Sequence, residues 1–313
     1  MIPPTNTADY QEKFLQFLIW FIFTAATLSA VVGLGMKYII MRKLVQEDWL
    51  IILAQNVYLA ECISTALGVS AGLGKPWASL SEELKDNYLK TEYASTVLLV
   101  LSLAIIKWSV LVFIQRLSGG TLSRCIHQSL SGLIGVWFVS STIISLFQCE
   151  IPRPWDHVNG RRCIDRRAWW SYVSVINMLS ELFIAALYLL VLLKVQISRK
   201  RKAIVLSLFL SRLLVVAAAI AQLVIFFRAF PSPDVTRRYK IPVILNETTL
   251  SISVITACVP YLKPFMESLE AGVVRVPSLV RSEEELSLGR LTTESCHTPG
   301  PSNSTTCVSA HSS

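Results

Sequence analysis

The chain alternates between long apolar runs and short polar stretches. Runs of about 20 apolar residues, the length that crosses a bilayer core as a helix, fall at Leu15–Met36, Trp49–Gly72, Tyr93–Gln115, Leu130–Gln148, Trp169–Lys194, Ala203–Phe227 and Ile241–Leu262. The pattern predicts seven membrane-spanning helices. A transmembrane strand would show alternation over about ten residues, not unbroken runs twice that length. The linking segments are short, about ten to twenty residues, and such links join antiparallel neighbours. The expected fold class is all-α: a polytopic membrane protein built as a seven-transmembrane-helix bundle.

Composition agrees. Of 313 residues, 53% are hydrophobic and 16% charged, and mean hydropathy is +0.53. Soluble domains carry about 25% charged residues. The net charge of +8 is therefore read as basic residues at helix ends facing anionic lipid, not as a nucleic-acid surface. The four histidines, His127, His157, His297 and His311, lie outside the apolar runs without metal-ligand spacing. No metal, haem or other cofactor is expected.

Three segments follow: a short extracellular N-terminus (1–14), the helical domain (15–269) and a disordered cytoplasmic tail (270–313). The first run is too long for a signal-peptide core and reads as a signal anchor. Lys37, Arg42 and Lys43 follow it, and Arg199-Lys200-Arg201-Lys202 follows the fifth span. By the positive-inside rule the N-terminus lies outside and the tail inside, and the plasma membrane is the expected site. The loop after the fourth span disagrees, with Arg153, Arg161, Arg162, Arg166 and Arg167. The tail is rich in Ser, Thr, Gly and Pro, with an acidic run at Glu283–Glu285, and lacks the apolar content to fold alone.

Two of seven cysteines, Cys149 and Cys163, bracket "CEIPRPWDHVNGRRC". On the oxidising side they are expected to form a disulfide contributing about 3 kcal/mol; two free thiols at a helix end are the alternative. Cys62 and Cys258 read as packing residues. Trp155, Trp169 and Trp170 are expected at the lipid–water interface. The sequons at Asn246 and Asn303 are expected to stay unmodified, one being at a membrane boundary and the other on the cytosolic side.

Glu61, Lys107, Glu181, Arg212 and Glu247 fall within spans. Each costs about 2.5–3.5 kcal/mol if left alone at the bilayer centre, so each should face the bundle interior. At about 1.5 Å per residue, Glu181 lies about 18 Å from one end of its helix, and Arg212 about 14 Å from the opposite boundary. In a core about 30 Å thick they are nearly level and form the first expected pair. Glu61 with Lys107 is the second; Glu247 has no evident partner and is expected near water at the outer end of its helix. Helical spacing places Ser174, Asn177, Glu181 and Tyr188 on one stripe, Gln55, Tyr58, Glu61 and Thr65 on another, and Glu247, Ser251, Cys258 and Tyr261 on a third. Such polar faces make either a ligand pocket or solute path, or simple helix-to-helix contacts worth about 0.6 kcal/mol each.

Ordered motifs extend the picture: "EDWLIILA", "GLGKPW", "KWSVLVFIQRL", "FQCEIPRPWDHVNGRRC", "NMLSE" and "ACVPYLKPF". Together the chain resembles the fungal seven-helix rhodopsin-domain membrane proteins, including those of satratoxin-type clusters. The resemblance implies a seven-helix membrane protein, with some members receptor-like and others encoded beside secondary-metabolite genes. Where the family typically carries Asp, this chain has Glu181. The last span contains no lysine for a retinal Schiff base.

The leading expectation is a receptor-like sensor of a small molecule or surface cue. Its ligand would enter beneath the Cys149–Cys163 loop, and Arg116 with Arg199, Lys200, Arg201 and Lys202 would face a cytosolic signalling partner. The alternative is a small-molecule transporter or an accessory protein of a secondary-metabolite pathway, with Glu61, Glu181 and Glu247 as relay acids. Without a nucleophile–base pair, metal cluster or nucleotide loop in the sequence, no catalytic residue and no enzyme is expected. The bilayer is the expected partner, with no nucleic acid.

Overall fold

A computed structural model describes residues 4–117, 124–158, 162–194, 199–229 and 235–270. The helices are α1 (Pro4–Met41), α2 (Gln46–Ser70), α3 (Glu82–Leu117), α4 (Arg124–Leu146), α5 (Arg166–Lys194), α6 (Arg199–Ala229) and α7 (Val235–Glu270). Among the described residues, seven helical windows are long and apolar enough to span a bilayer, from Tyr10–Ile39 to Tyr239–Val259. No strand occurs among the described residues. Residues 4–14, the expected extracellular N-terminus, form the first turns of α1. The compact unit is Met1–Phe265; of the second, Met266–Ser313, only 266–270 are described, as helix. The tail therefore lies outside the described residues.

Local chemistry sets the helix ends. The "EDW" start of α2 places Glu47 and Asp48 in its first turn, where carboxylates offset the positive end of the helix dipole. Asp48 also accepts the Val45 backbone N–H at 2.8 Å. After α2 the chain must reverse, and Gly72 takes a φ of 120° that favours glycine. A Cβ there would meet the Leu80 side chain, which accounts for the "GLGKPW" turn. At α5, Asp165 accepts the Arg167 backbone N–H at 2.9 Å.

Burial separates a centre from a rim. The α3 window is 67% buried, whereas those of α1 and α4 are 28% buried, so α3 is the central helix. Phe17, Phe21, Leu28, Val136 and Val139 are exposed on the outer helices, as apolar side chains facing acyl chains should be. Trp137, Tyr58 and Tyr188 fill the interior.

Helices alternate in direction. One face carries the α2–α3 turn and the α4–α5 loop; the other carries the α1–α2 turn. On the first, Cys149 and Cys163 are disulfide-bonded. Backbone bonds Glu150 N–H to Arg162 O and Ile164 N–H to Gln148 O close the base of the loop. Its tip is fixed to α3: Trp155 Nε1 donates to Asp86 at 2.9 Å, and Lys90 lies 5.4 Å from the Trp155 ring. Trp169 and Trp170 are not interface anchors. Both are buried, and Trp170 packs on Phe226, because they start α5 on its bundle-facing side.

Candidate functional site

Among the described residues, four groups of charged side chains can be followed from the loop face to the opposite one. At the loop face, Arg166 donates to Glu92 of α3 and, at 3.0 Å, to the Tyr239 hydroxyl of α7. His157 Nε2 lies 3.8 Å from Glu92. Sequence reasoning missed this group, because Glu92 sits just outside the apolar run of α3 and Arg166 was counted as loop charge.

His157 is enclosed, and burial pushes its imidazole below the ordinary 6.5; nearby Arg166 lowers it further, while Glu92, Asp156 and a bond to the Trp155 carbonyl resist. The neutral ring is therefore the form favoured by folding. Its contribution is present above the unfolded value and is lost as pH falls below about 6.5, because the unfolded chain takes the proton first. Thermal midpoints from about pH 7.5 to 5.5 are expected to fall in the wild type and to fall less in His157→Gln. Equal slopes would contradict this assignment.

The second group joins α2 to α7. Glu61, Cys62 and Glu247 are buried, and a carboxylate oxygen of each acid and the thiol sulfur lie within 4.8 Å of one another. The Cys62 thiol donates to Glu247 at 3.4 Å, Thr65 donates to Glu61 at 3.0 Å, and the Tyr58 hydroxyl donates to the Glu247 carbonyl at 3.3 Å. This overturns two expectations. Glu61 does not pair with Lys107, because its side of α2 faces α7. Glu247 is not near water; it is fully buried. Cys62, expected as packing, is a polar contact.

The third group is Lys107 of α3, Glu181 of α5 and Arg212 of α6. Lys107 Nζ lies 2.6 Å from Glu181 Oε1, and Arg212 Nη1 lies 3.4 Å from Glu181 Oε2. The expected Glu181–Arg212 contact is present, but Lys107 is the closer partner. Lys107 also donates to the Asn177 backbone carbonyl at 3.2 Å and sits 6.0 Å from the Trp137 ring. Of the α5 stripe, Ser174, Asn177, Glu181 and Tyr188 are all buried.

The fourth group lies at the opposite face. Lys37 of α1 bridges Glu47 at 3.0 Å and Asp48 at 2.5 Å, and Arg116 of α3 meets Glu47 at 2.6 Å. Ser109 donates to the Glu47 carbonyl at 2.9 Å. Arg116, expected to face a cytosolic partner, is held by α2, with 44% of its side chain still exposed. Its acid comes from another helix, so spacing along α3 gave no sign of it. Arg199–Lys202 open α6; their side chains lie outside the described residues, as do those of Tyr261 and Asn303.

Beside these groups, Gln222 of α6 donates to Asn246 of α7, and Thr249 donates to Gln222 at 3.3 Å. Asn246 is thereby an interhelical contact in the bundle. Two cavities of about 10 Å³ border this cluster, lined by Trp170, Ser174, Gln222 and Asn246; each has room for about one water. A larger vestibule of about 170 Å³ opens between α1, the α2–α3 turn and α7. Phe14, Leu15, Ile241 and Ile244 are among its apolar walls, and Glu12, Lys75 and Lys240 are its charged lining residues. Glu12 and Lys75 pair at 2.8 Å.

No curated protein and no solved structure matches the chain. The family model described as the fungal rhodopsin domain matches residues 33–268, well over half of the sequence and all of the span from the end of α1 into the last turn of α7. With seven apolar helices and buried charges inside them, the chain belongs to the fungal rhodopsin domain family.

Proposed function

We propose that this protein is a receptor-like sensor of a small amphiphilic acid in the plasma membrane, not an enzyme, with its N-terminus outside. The observation that carries the reading is the Lys107–Glu181–Arg212 triad, which ties α3, α5 and α6 together in mid-membrane. Buried ion pairs are geometrically exacting and re-form only in discrete arrangements. A triad shared by three helices suits a bistable switch. The cavities at the Gln222–Asn246 cluster have room for about one water each, which suits a packed signalling core better than a solute path.

The ligand site in this reading is the vestibule. The loop stapled to α3 covers the other side of that face, so entry between α1 and α7 replaces entry beneath the disulfide loop. Lys240 supplies a cation and Phe14, Leu15 and Ile241 supply apolar walls. Ile244 lies one helical turn from Glu247, so a ligand pressing on α7 would be felt in the α2–α7 group. At the opposite face, Arg116 and the Arg199–Lys202 run would meet a cytosolic partner.

The competing reading is transport, which draws on Glu61 and Glu247 as uncompensated intramembrane acids. Two measurements separate them. Octanoate is expected to raise the thermal midpoint of the detergent-purified protein, with about 2.7 kcal/mol of stabilisation at 100 times its Kd. The shift should vanish in Lys240→Ala and in Ile244→Trp, which fills the vestibule. In proteoliposomes, gradient-driven proton or octanoate flux should not exceed that of empty vesicles. A flux abolished by Glu181→Gln would establish transport and overturn the sensor.

A further inference from the structure

The α2–α7 group has a charge problem that the sensor reading does not use. Glu61 and Glu247 are 3% and 0% exposed, and no ion pair reaches either of them among the described residues. The other three groups nearly balance. Arg166 offsets Glu92, Lys37 and Arg116 offset Glu47 and Asp48, and Lys107 with Arg212 exceeds Glu181 by one positive charge. Two carboxylates facing each other in hydrocarbon need a shared proton or a cation between them.

The atoms converge as a ligand set does. One oxygen from each acid and the Cys62 sulfur lie within 4.8 Å of one another. Glu61 Oε2 and Glu247 Oε1 are buried without a hydrogen-bond partner. Unsatisfied buried carboxylate oxygens are rare and mark a missing partner. We propose that Glu61, Cys62 and Glu247 form a metal-binding site that takes one divalent transition-metal ion of the zinc type and clasps α2 to α7.

The donor set selects the ion class. A thiolate beside two carboxylates suits zinc or cobalt, whereas calcium and magnesium take oxygen only. Binding the metal releases the thiol proton. The three anionic ligands and a divalent ion then sum to one negative charge, which the single positive excess of the Lys107–Glu181–Arg212 triad balances. Thr65, which donates to Glu61 at 3.0 Å, orients that ligand from behind, as outer-sphere partners do. Ile244, which lines the vestibule, is one helical turn from Glu247. Loading is tested during expression as well as on purified protein.

The test uses cobalt as a spectroscopic probe. Full-length protein made in Co2+ medium and purified in detergent is expected to hold an equimolar amount of metal. It should show a thiolate-to-cobalt charge-transfer band that zinc abolishes. Cys62→Ser should lose the band, and Cys258→Ser, which removes a buried thiol elsewhere, should keep it. Glu61→Gln and Glu247→Gln should weaken cobalt affinity by at least roughly 100-fold, beyond the 10–100-fold typical of outer-sphere changes. Folded wild type without bound metal would overturn the proposal, as would a band that survives in Cys62→Ser. So would a metal-free protein whose infrared spectrum shows a protonated carboxyl band lost in Glu247→Gln, since a shared proton would then neutralise the pair. The wild-type measurement decides even if a variant fails to fold.

Discussion

Glu181→Gln is expected to lower unfolding free energy by about 3–5 kcal/mol, the range for removing one partner of a buried ion pair. The magnitude follows from what remains. Lys107 and Arg212 are 0% and 1% exposed in their side chains, and without Glu181 two cations would share one apolar compartment. Lys107→Met should cost less, because Arg212 still pairs with Glu181 and a methionine fills similar space. The double variant Glu181→Gln/Lys107→Met should recover part of the loss, since one cation then remains instead of two. Thermal midpoints in detergent for the two singles and the double form the cycle. If Glu181→Gln melts within a degree or two of wild type, the triad contributes no stability and the switch built on it has no basis.

Arg166→Leu is expected to cost about 3 kcal/mol at neutral pH, at the lower end of the same range. Arg166 links the start of α5 to Glu92 of α3 and Tyr239 of α7. Removing it leaves Glu92 with only the weak contact to His157 at 3.8 Å. The loss should shrink as pH falls, because a protonated His157 can pair with Glu92. The effect thus runs opposite in sign to the acid weakening of the wild type. Melting Arg166→Leu and the double Arg166→Leu/His157→Gln across pH checks this: the recovery at low pH should disappear in the double. A cost independent of pH in both would mean that Arg166 acts through packing on Tyr239 alone.

These effects concern residues whose legibility in the sequence differed. The Glu181–Arg212 contact was readable because depth along a helix follows from a fixed rise per residue, and two charges at one depth in hydrocarbon have few other partners. Glu61 and Lys107 failed as a pair for the complementary reason. Depth says nothing of which way a side faces, and α2 turns Glu61 towards α7 while α3 turns Lys107 towards α5. Glu92, Arg166, Glu47 and Asp48 lie at the ends of apolar runs, where hydropathy cannot tell a solvated charge from a capped and paired one. Cys62 was invisible as a ligand candidate because its partner Glu247 is 185 residues away.

By itself the sequence determined the solvent and the count of helices: twenty-residue apolar runs can satisfy their backbone only as membrane-spanning helices, so seven runs give seven crossings. It also determined that charges within them turn inward, and which cysteines bracket a loop short enough to close. Only the tertiary structure decided which charges meet. Partner choice depends on the rotation of each helix about its axis and on which helix lies beside which. Those are fixed by the summed packing of all seven helices around α3, and by no local pattern along any one of them.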